Sequence, residues 1–288
     1  MPFGSSKAAI LGASGGGAFD MEGGSRTTSG GYNWQTYDSS GTVTVVGSGE
    51  VDFILVGGGA SAGASGPCGG GGAGGIVRAV GVTVNAGTYT LTIGAGGTLT
   101  SAGVQGNDGG NSSVTGGFGG AEFHACGGGG GGRGGWGQYQ DGNPGKSTSG
   151  VTGTYVISGG GGGGGGEWTN YVGTSGGAGS ANATNGTPSG GGTWVSQYGG
   201  NGGSTNAIMG TGGGGGGALV AASANHGSGG HGHTWLDSVT YGDGGDGQNF
   251  NSGSQPTTAG AGQSSYAISG SNWRPAKSGI FIVRWPES

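Results

Sequence analysis

Three histidines, His226, His231 and His233, fall in the stretch "HGSGGHGH" with Asp237 close behind. A zinc site needs four ligands converging at bonding distance, and its usual spacings put pairs two to five residues apart with cysteine partners. This spacing fits none of them, so the four residues read as polar loop residues and no metal site is predicted. "GGDGQNF", Gly244 to Phe250, matches the glycine-rich calcium nonapeptide, with Asn249 where aspartate is expected. Such sites form between stacked tandem copies, and a single copy cannot build one. "NPGKS" has the end of a phosphate-binding loop, but Gln140 stands where its first glycine is required, and "TSGVTGTY" after it is no helix. The acids Glu122, Glu167, Asp237 and Asp243 lie in separate loops, with neither a carboxylate pair nor a Ser-His-Asp order. No catalytic residue and no cofactor are therefore expected, and the chain does not read as an enzyme. Cys68 and Cys126 each precede a glycine run. A disulfide tying two glycine segments and two small buried side chains are both open readings.

The residue types that remain are those of recognition. Trp136 and Tyr139, Trp168 and Tyr171, Trp194 and Tyr198, and Trp235, Tyr241 and Phe250 occupy four connectors between glycine runs. Trp and Tyr offer large rigid contact area at low entropic cost, which suits binding surfaces. The competing role is to cap the ends of a glycine structure against water. Trp34, Trp273 and Trp285 lie near candidate strands and read as structural.

Something must hold those connectors. The chain has 288 residues with 89 Gly, 7 Pro, 8 Lys+Arg and 13 Asp+Glu, a formal charge of −5. Collagen needs glycine at every third position and abundant proline, so the long pure-glycine runs exclude it. Low charge with seven Trp and nine Tyr is unlike a disordered tail. With no basic run, a nucleic-acid footprint is missing. No stretch approaches the ~18 apolar residues of a membrane-spanning helix. The apolar run Ala8 to Leu11 is too short for a signal-peptide core, so a soluble protein made without a cleaved leader is expected.

The apolar residues concentrate in "GTVTVV" (Gly41–Val46), "EVDFILVGGG" (Glu50–Gly59), "GIVRAVGVTVNAGTYTLTIGAGG" and the closing "SGIFIVRWP". These read as β-strands bounded by glycine, with a turn at Asn85 to Gly87. A lone apolar strand near the end needs partners, and comparable ones lie more than two hundred residues earlier. The two ends are expected to meet in one framework. Between them, runs such as Gly159–Gly166 recur with no fixed period. An extended three-fold helix makes no internal hydrogen bonds, so about ten glycine rods can pack side by side, bonding backbone to backbone. The predicted fold is mostly β and irregular with little or no α-helix. A framework of residues 42–100 and 278–286 carries a rod bundle with aromatic loops over 101–277.

"EVDFILVGGG", "GGGGAGGIVRAVGVTVNAGTYTLTIGAGG", "GNDGGNSSV" and "SGIFIVRWP" resemble the glycine-rich domain common in bacteriophage tail and virion proteins, over roughly Val43 to Pro286. The glycine blocks with aromatic connectors are also similar to the polyglycine-II sandwich of tail-fibre-tip adhesins from T-even-type phages. That resemblance implies a rigid scaffold whose distal loops bind a host-surface glycan or outer-membrane protein, on a virion surface, with a homo-oligomer possible. Those adhesins carry a larger N-terminal attachment domain. Here residues 1–41, with Phe3, Ile10, Leu11 and Phe19, would instead dock onto another virion protein of a fibre, tail or capsid. The alternative is a purely structural decoration without receptor binding. A bundle of extended glycine helices could also bind ice, though irregular loops suit that role poorly.

Overall fold

A computed structural model of the protein describes residues 18–64, 68–99, 101, 103–134, 140–166, 175–180, 183–185, 187–196, 199–204, 217, 228–247, 257–264 and 275–287. Among them there is no α-helix, and the ordered backbone divides into strands and extended glycine-rich segments. The strands are β1 (Asp20–Glu22), β2 (Ser25–Ser29), β3 (Tyr32–Tyr37), β4 (Gly41–Val46), β5 (Gly49–Val56), β6 (Ile76–Val84), β7 (Gly87–Thr92) and β8 (Ser112–Thr115). After a 3₁₀ turn at Phe118–Gly120 come β9 (Glu122–Ala125), β10 (Tyr155–Ser158), β11 (Ala183–Asn185), β12 (Thr193–Ser196), β13 (His233–Thr234), β14 (Thr240–Tyr241) and β15 (Ile280–Pro286).

Two sheets face each other. One runs β1-β4-β7-β8-β9-β10-β11 and the other β12-β6-β5-β15-β3-β2. Alternation along each strand decides what enters the space between them. In β5, Phe53 and Leu55 point into it, and in β15 Phe281, Val283 and Trp285 do so. Val43, Leu91, Val114 and Phe123 answer from the opposite sheet. Phe53 sits at the centre, its ring 4.9 Å from Phe123, 5.6 Å from Phe118 and 5.7 Å from Phe281 in edge-on contacts. The expected meeting of the two ends is real: β15 pairs antiparallel with β5, Ile282 opposite Ile54.

The strands do not end in ordinary loops. β5 continues into Gly57–Ala64, β9 into Cys126–Arg133 and β10 into Gly159–Gly166, while Gly69–Gly75 leads back into β6. These extensions bond with a period of three. Gly160 and Gly163 donate to Lys146 and Asn143, Gly161 and Gly164 to Ala73 and Gly70, and Gly162 and Gly165 to Gly200 and Gly203. The same segment accepts from Gly129 and Gly132, and from Gly177 and Ser180. Five neighbouring rods thus surround one glycine run, as a three-fold helix with outward N–H and C=O groups requires. That close approach leaves no room for side chains: a Cβ on Gly163 would lie 2.1 Å from the Gly130 carbonyl oxygen.

Several expectations need correction. The framework begins at Asp20, so β1, β2 and β3 lie inside the 1–41 segment expected to serve attachment only. Their sequence is polar, and β2 is exposed along its length. Its hairpin turns at Gly30 and Gly31, both at positive φ, 63° and 79°, as a two-residue hairpin needs. β8, β9 and β10 also belong to the framework, although they fall within the stretch assigned to the bundle. β6 and β7 follow each other but lie in different sheets. Cys68 and Cys126 are both buried and not bonded to each other.

Candidate functional site

Two places bear on recognition, and they lie in different parts of the molecule. The first is the end of the bundle farthest from the sandwich. Gly63 donates to Gly69, Gly69 to Gly132, Gly132 to Gly164, Gln140 to Arg133 and Gly166 to Gln140. The described residues that flank 65–67 and 135–139, and those that lead into 167–174, therefore stand side by side. Phe19 lies at the other pole: a Cβ on Gly49, where β5 starts, would be 2.4 Å from its ring. From Gly49 along β5 and its rod to Gly63 is a chain path of roughly 45 Å at strand and three-fold-helix rises.

The second place is the outer face of the six-stranded sheet. Alternation that sends Phe53, Phe281 and Val77 inward sends Ile54, Ile282, Arg78, Arg284 and Trp34 outward. The β13–β14 hairpin lies across this face, burying Trp235 and Tyr241 against Ile54, Val56, Ile76 and Ile282. Trp34 meets Trp235 edge-on at 5.7 Å. The hairpin tip is tied by Trp235 donating to Val239 and Ser238 to Trp235. Ser238 holds φ 64°, a left-handed conformation unusual for a residue with a side chain. Asp237 accepts from Val239 N–H and, at 2.6 Å, from the Tyr241 hydroxyl. Burial and the Asp237 carboxylate push the Tyr241 phenol well above its ordinary range.

The hairpin divides the face into two clefts. One, of about 590 Å³, lies between it and the β2–β3 hairpin, over Tyr32, Trp34 and Arg284. The Arg284 guanidinium stacks 4.2 Å from the Tyr32 ring centre and 5.3 Å from that of Trp34. Its Nε donates to Asp52 at 2.9 Å, and Asp52 also accepts from Gly81 N–H, at a bulge where Gly81 has φ 68°. The second cleft, of about 340 Å³, lies over Arg78 and Val80 between β12 and the hairpin, walled by Thr193, Val195, His233 and Leu236. Leu236 borders both clefts and is 44% exposed.

The predicted recognition residues separate accordingly. Trp136, Tyr139, Trp168, Tyr171, Tyr198 and Phe250, together with Phe3, Ile10 and Leu11, lie outside the described residues. Trp194 belongs to β12, opposite Ala79, at the sandwich and not at a bundle tip. Trp235 and Tyr241, expected as exposed binding aromatics, are 6% and 5% exposed and serve the packing of the hairpin instead. Phe19, expected to face another virion protein, packs partly buried on the core, its ring 5.6 Å from Trp285. Sequence reasoning passed over Arg78, Arg284 and Leu236. The one available signal was parity: an arginine two positions after Ile282, or after Ile76, stands on the same outward face. Among the described residues no group of three His, Cys, Asp or Glu side chains converges.

The chain matches the model of one protein family, described as a glycine-rich domain, over residues 36–248. No curated protein matches it.

Proposed function

The chain belongs to the glycine-rich domain family, and from that premise we propose that it is a surface protein of a tailed-phage virion that binds a host-cell surface molecule. The observation that carries this reading is polarity. The described ends flanking the connectors with Trp136, Tyr139, Trp168 and Tyr171 meet at the pole of the bundle remote from Phe19, where the chain enters the sandwich. An adhesin needs this separation of a held end from a recognising end, joined by a stiff body. Backbone rods cross-bonded on several sides supply the stiffness that flexible Gly/Ser linkers lack. The receptor class is a host glycan or outer-membrane protein, and residues 1–17 are the segment proposed to reach a second virion protein.

A structural decoration is the second reading, favoured by the exposed Val80, Leu236 and Val239 on the sheet face, which suit contact with another virion subunit. One experiment separates the two. Labelled protein is titrated onto intact bacterial cells, beside a Trp136→Ala/Trp168→Ala variant of unchanged melting temperature. Saturable binding, at least tenfold weaker in the variant, is the expected result. A well-folded protein that binds no strain of its phage's host range would replace the adhesin by the decoration.

A further inference from the structure

Every arginine of the sandwich except one has an acidic partner. Arg26 pairs with Asp20, and Arg284 with Asp52. Arg78 is half-buried and has no ion pair among the described residues. Its Nη1 meets His233 Nε2 at 2.9 Å, and its Nε is buried with no hydrogen-bond partner. Burial and the adjacent Arg78 cation hold the His233 imidazole below its ordinary range, so the ring stays neutral with its proton on Nδ1. His233 therefore cannot balance the guanidinium charge. Among the described residues no Asp or Glu lines the 340 Å³ cleft above it. A half-buried cation without a counter-charge is costly, and a guanidinium matches a carboxylate in both geometry and charge.

The rest of the cleft limits what can carry that carboxylate. Val80, 47% exposed, and Leu236 form an apolar wall, while the hydroxyls of Thr193 and Thr234 stand at the rim. The volume lies at the small end of ligand sites. We propose that this cleft binds the carboxylate of an acidic sugar, with Arg78 as counter-charge, Val80 and Leu236 against the ring, and Thr193 and Thr234 toward its hydroxyls. The site deepens the host-glycan reading and rests on it for its biological meaning, but not for its chemistry.

The test uses the full chain and three probes, glucuronate, glucose and acetate, followed by NMR of the Arg78 Nε–H and His233 ring signals. Glucuronate is expected to shift both signals saturably at millimolar concentration, an affinity ordinary for one monosaccharide. Glucose should leave them in place, and Arg78→Gln should weaken the glucuronate response at least tenfold. Arg78→Lys keeps the charge without the planar fork, and an intermediate response is expected. If the glutamine variant fails to fold, the wild-type titrations decide alone. Unmoved signals at about 50 mM glucuronate, or an equal response to glucose, would overturn the site. Acetate binding as tightly as glucuronate would overturn the sugar assignment. Cell binding that survives in Arg78→Gln leaves the adhesin standing whatever the sugar titration shows. Glucuronate binding by a protein that adheres to no cells leaves the cleft standing and removes the adhesin.

Discussion

At the scale of single residues, glycine has two unlike roles here, and substitution separates them. A Cβ on Gly163 would lie 2.1 Å from the Gly130 carbonyl oxygen, a backbone atom that can move only with its whole rod. A Cβ on Gly41, in β4, would meet nothing within 4 Å. Gly163→Ala is therefore expected to cost about 3 kcal/mol or more, the upper range for overpacking, whereas Gly41→Ala should stay within about 0.5 kcal/mol. Urea denaturation of both variants checks this, and equal midpoints would contradict close rod packing. The sequence context already sets Gly163, in an eight-glycine run, apart from Gly41, which opens a strand, but which atoms crowd Gly163 depends on what the folded chain brings beside it.

At the scale of elements, the rods raise a question that packing does not answer: what bonds the rod N–H groups that meet no backbone carbonyl of a neighbour? Side chains three residues apart do so. Asp108 accepts from Gly130 N–H and Asn111 from Gly127 N–H, both at positions matched to the rod period. Asp243 and Asp246 do the same for Gly232 and Gly229. The Asn143 amide also donates to Asp108. Asp108→Ala strands both donors, and a loss of about 1–3 kcal/mol is expected from leaving buried polar groups unpaired. Asp108→Asn, which keeps an acceptor, should retain most of the stability, and thermal melts that rank the two variants otherwise would contradict this side-chain support of the rods. This three-residue spacing stands in "GNDGGN", which entered the sequence reading only through the family resemblance, and in "GDGGDG", which overlaps the rejected calcium match. Its meaning depends on the rods, and so it became legible only with them.

The whole molecule shows where sequence reading succeeds and where it stops. β5, β6 and β15 are rich in Val, Ile and Phe, and their runs announced both strands and partners. β1, β2 and β3 carry little apolar signal of their own. β2 and β3 are strands because β15 offers β3 an edge, Trp34 opposite Arg284, and β2 then pairs with β3, while β1 forms against β4 in the other sheet. The hairpin across the outer face is legible from no local pattern. Trp235 and Tyr241 look like exposed loop aromatics until the apolar outer side of β5 and β15 is known to need cover.

Continuity between strand and rod also sets how the protein responds to temperature. Unfolding normally raises heat capacity because exposed apolar surface adds to it, while exposed peptide subtracts. Gly57–Gly63, Gly127–Gly132 and Gly159–Gly166 are buried, yet they cover mainly amide groups and almost no side chain. Calorimetry should therefore give a heat-capacity change per residue below the usual range of about 12–15 cal/mol/K. A value within or above that range would mean that the glycine rods are not a buried interior. With a small increment, enthalpy and entropy of unfolding drift slowly with temperature, and the stability curve becomes broad and shallow. A molecule built this way would hold nearly constant stability across cold and warm surroundings alike.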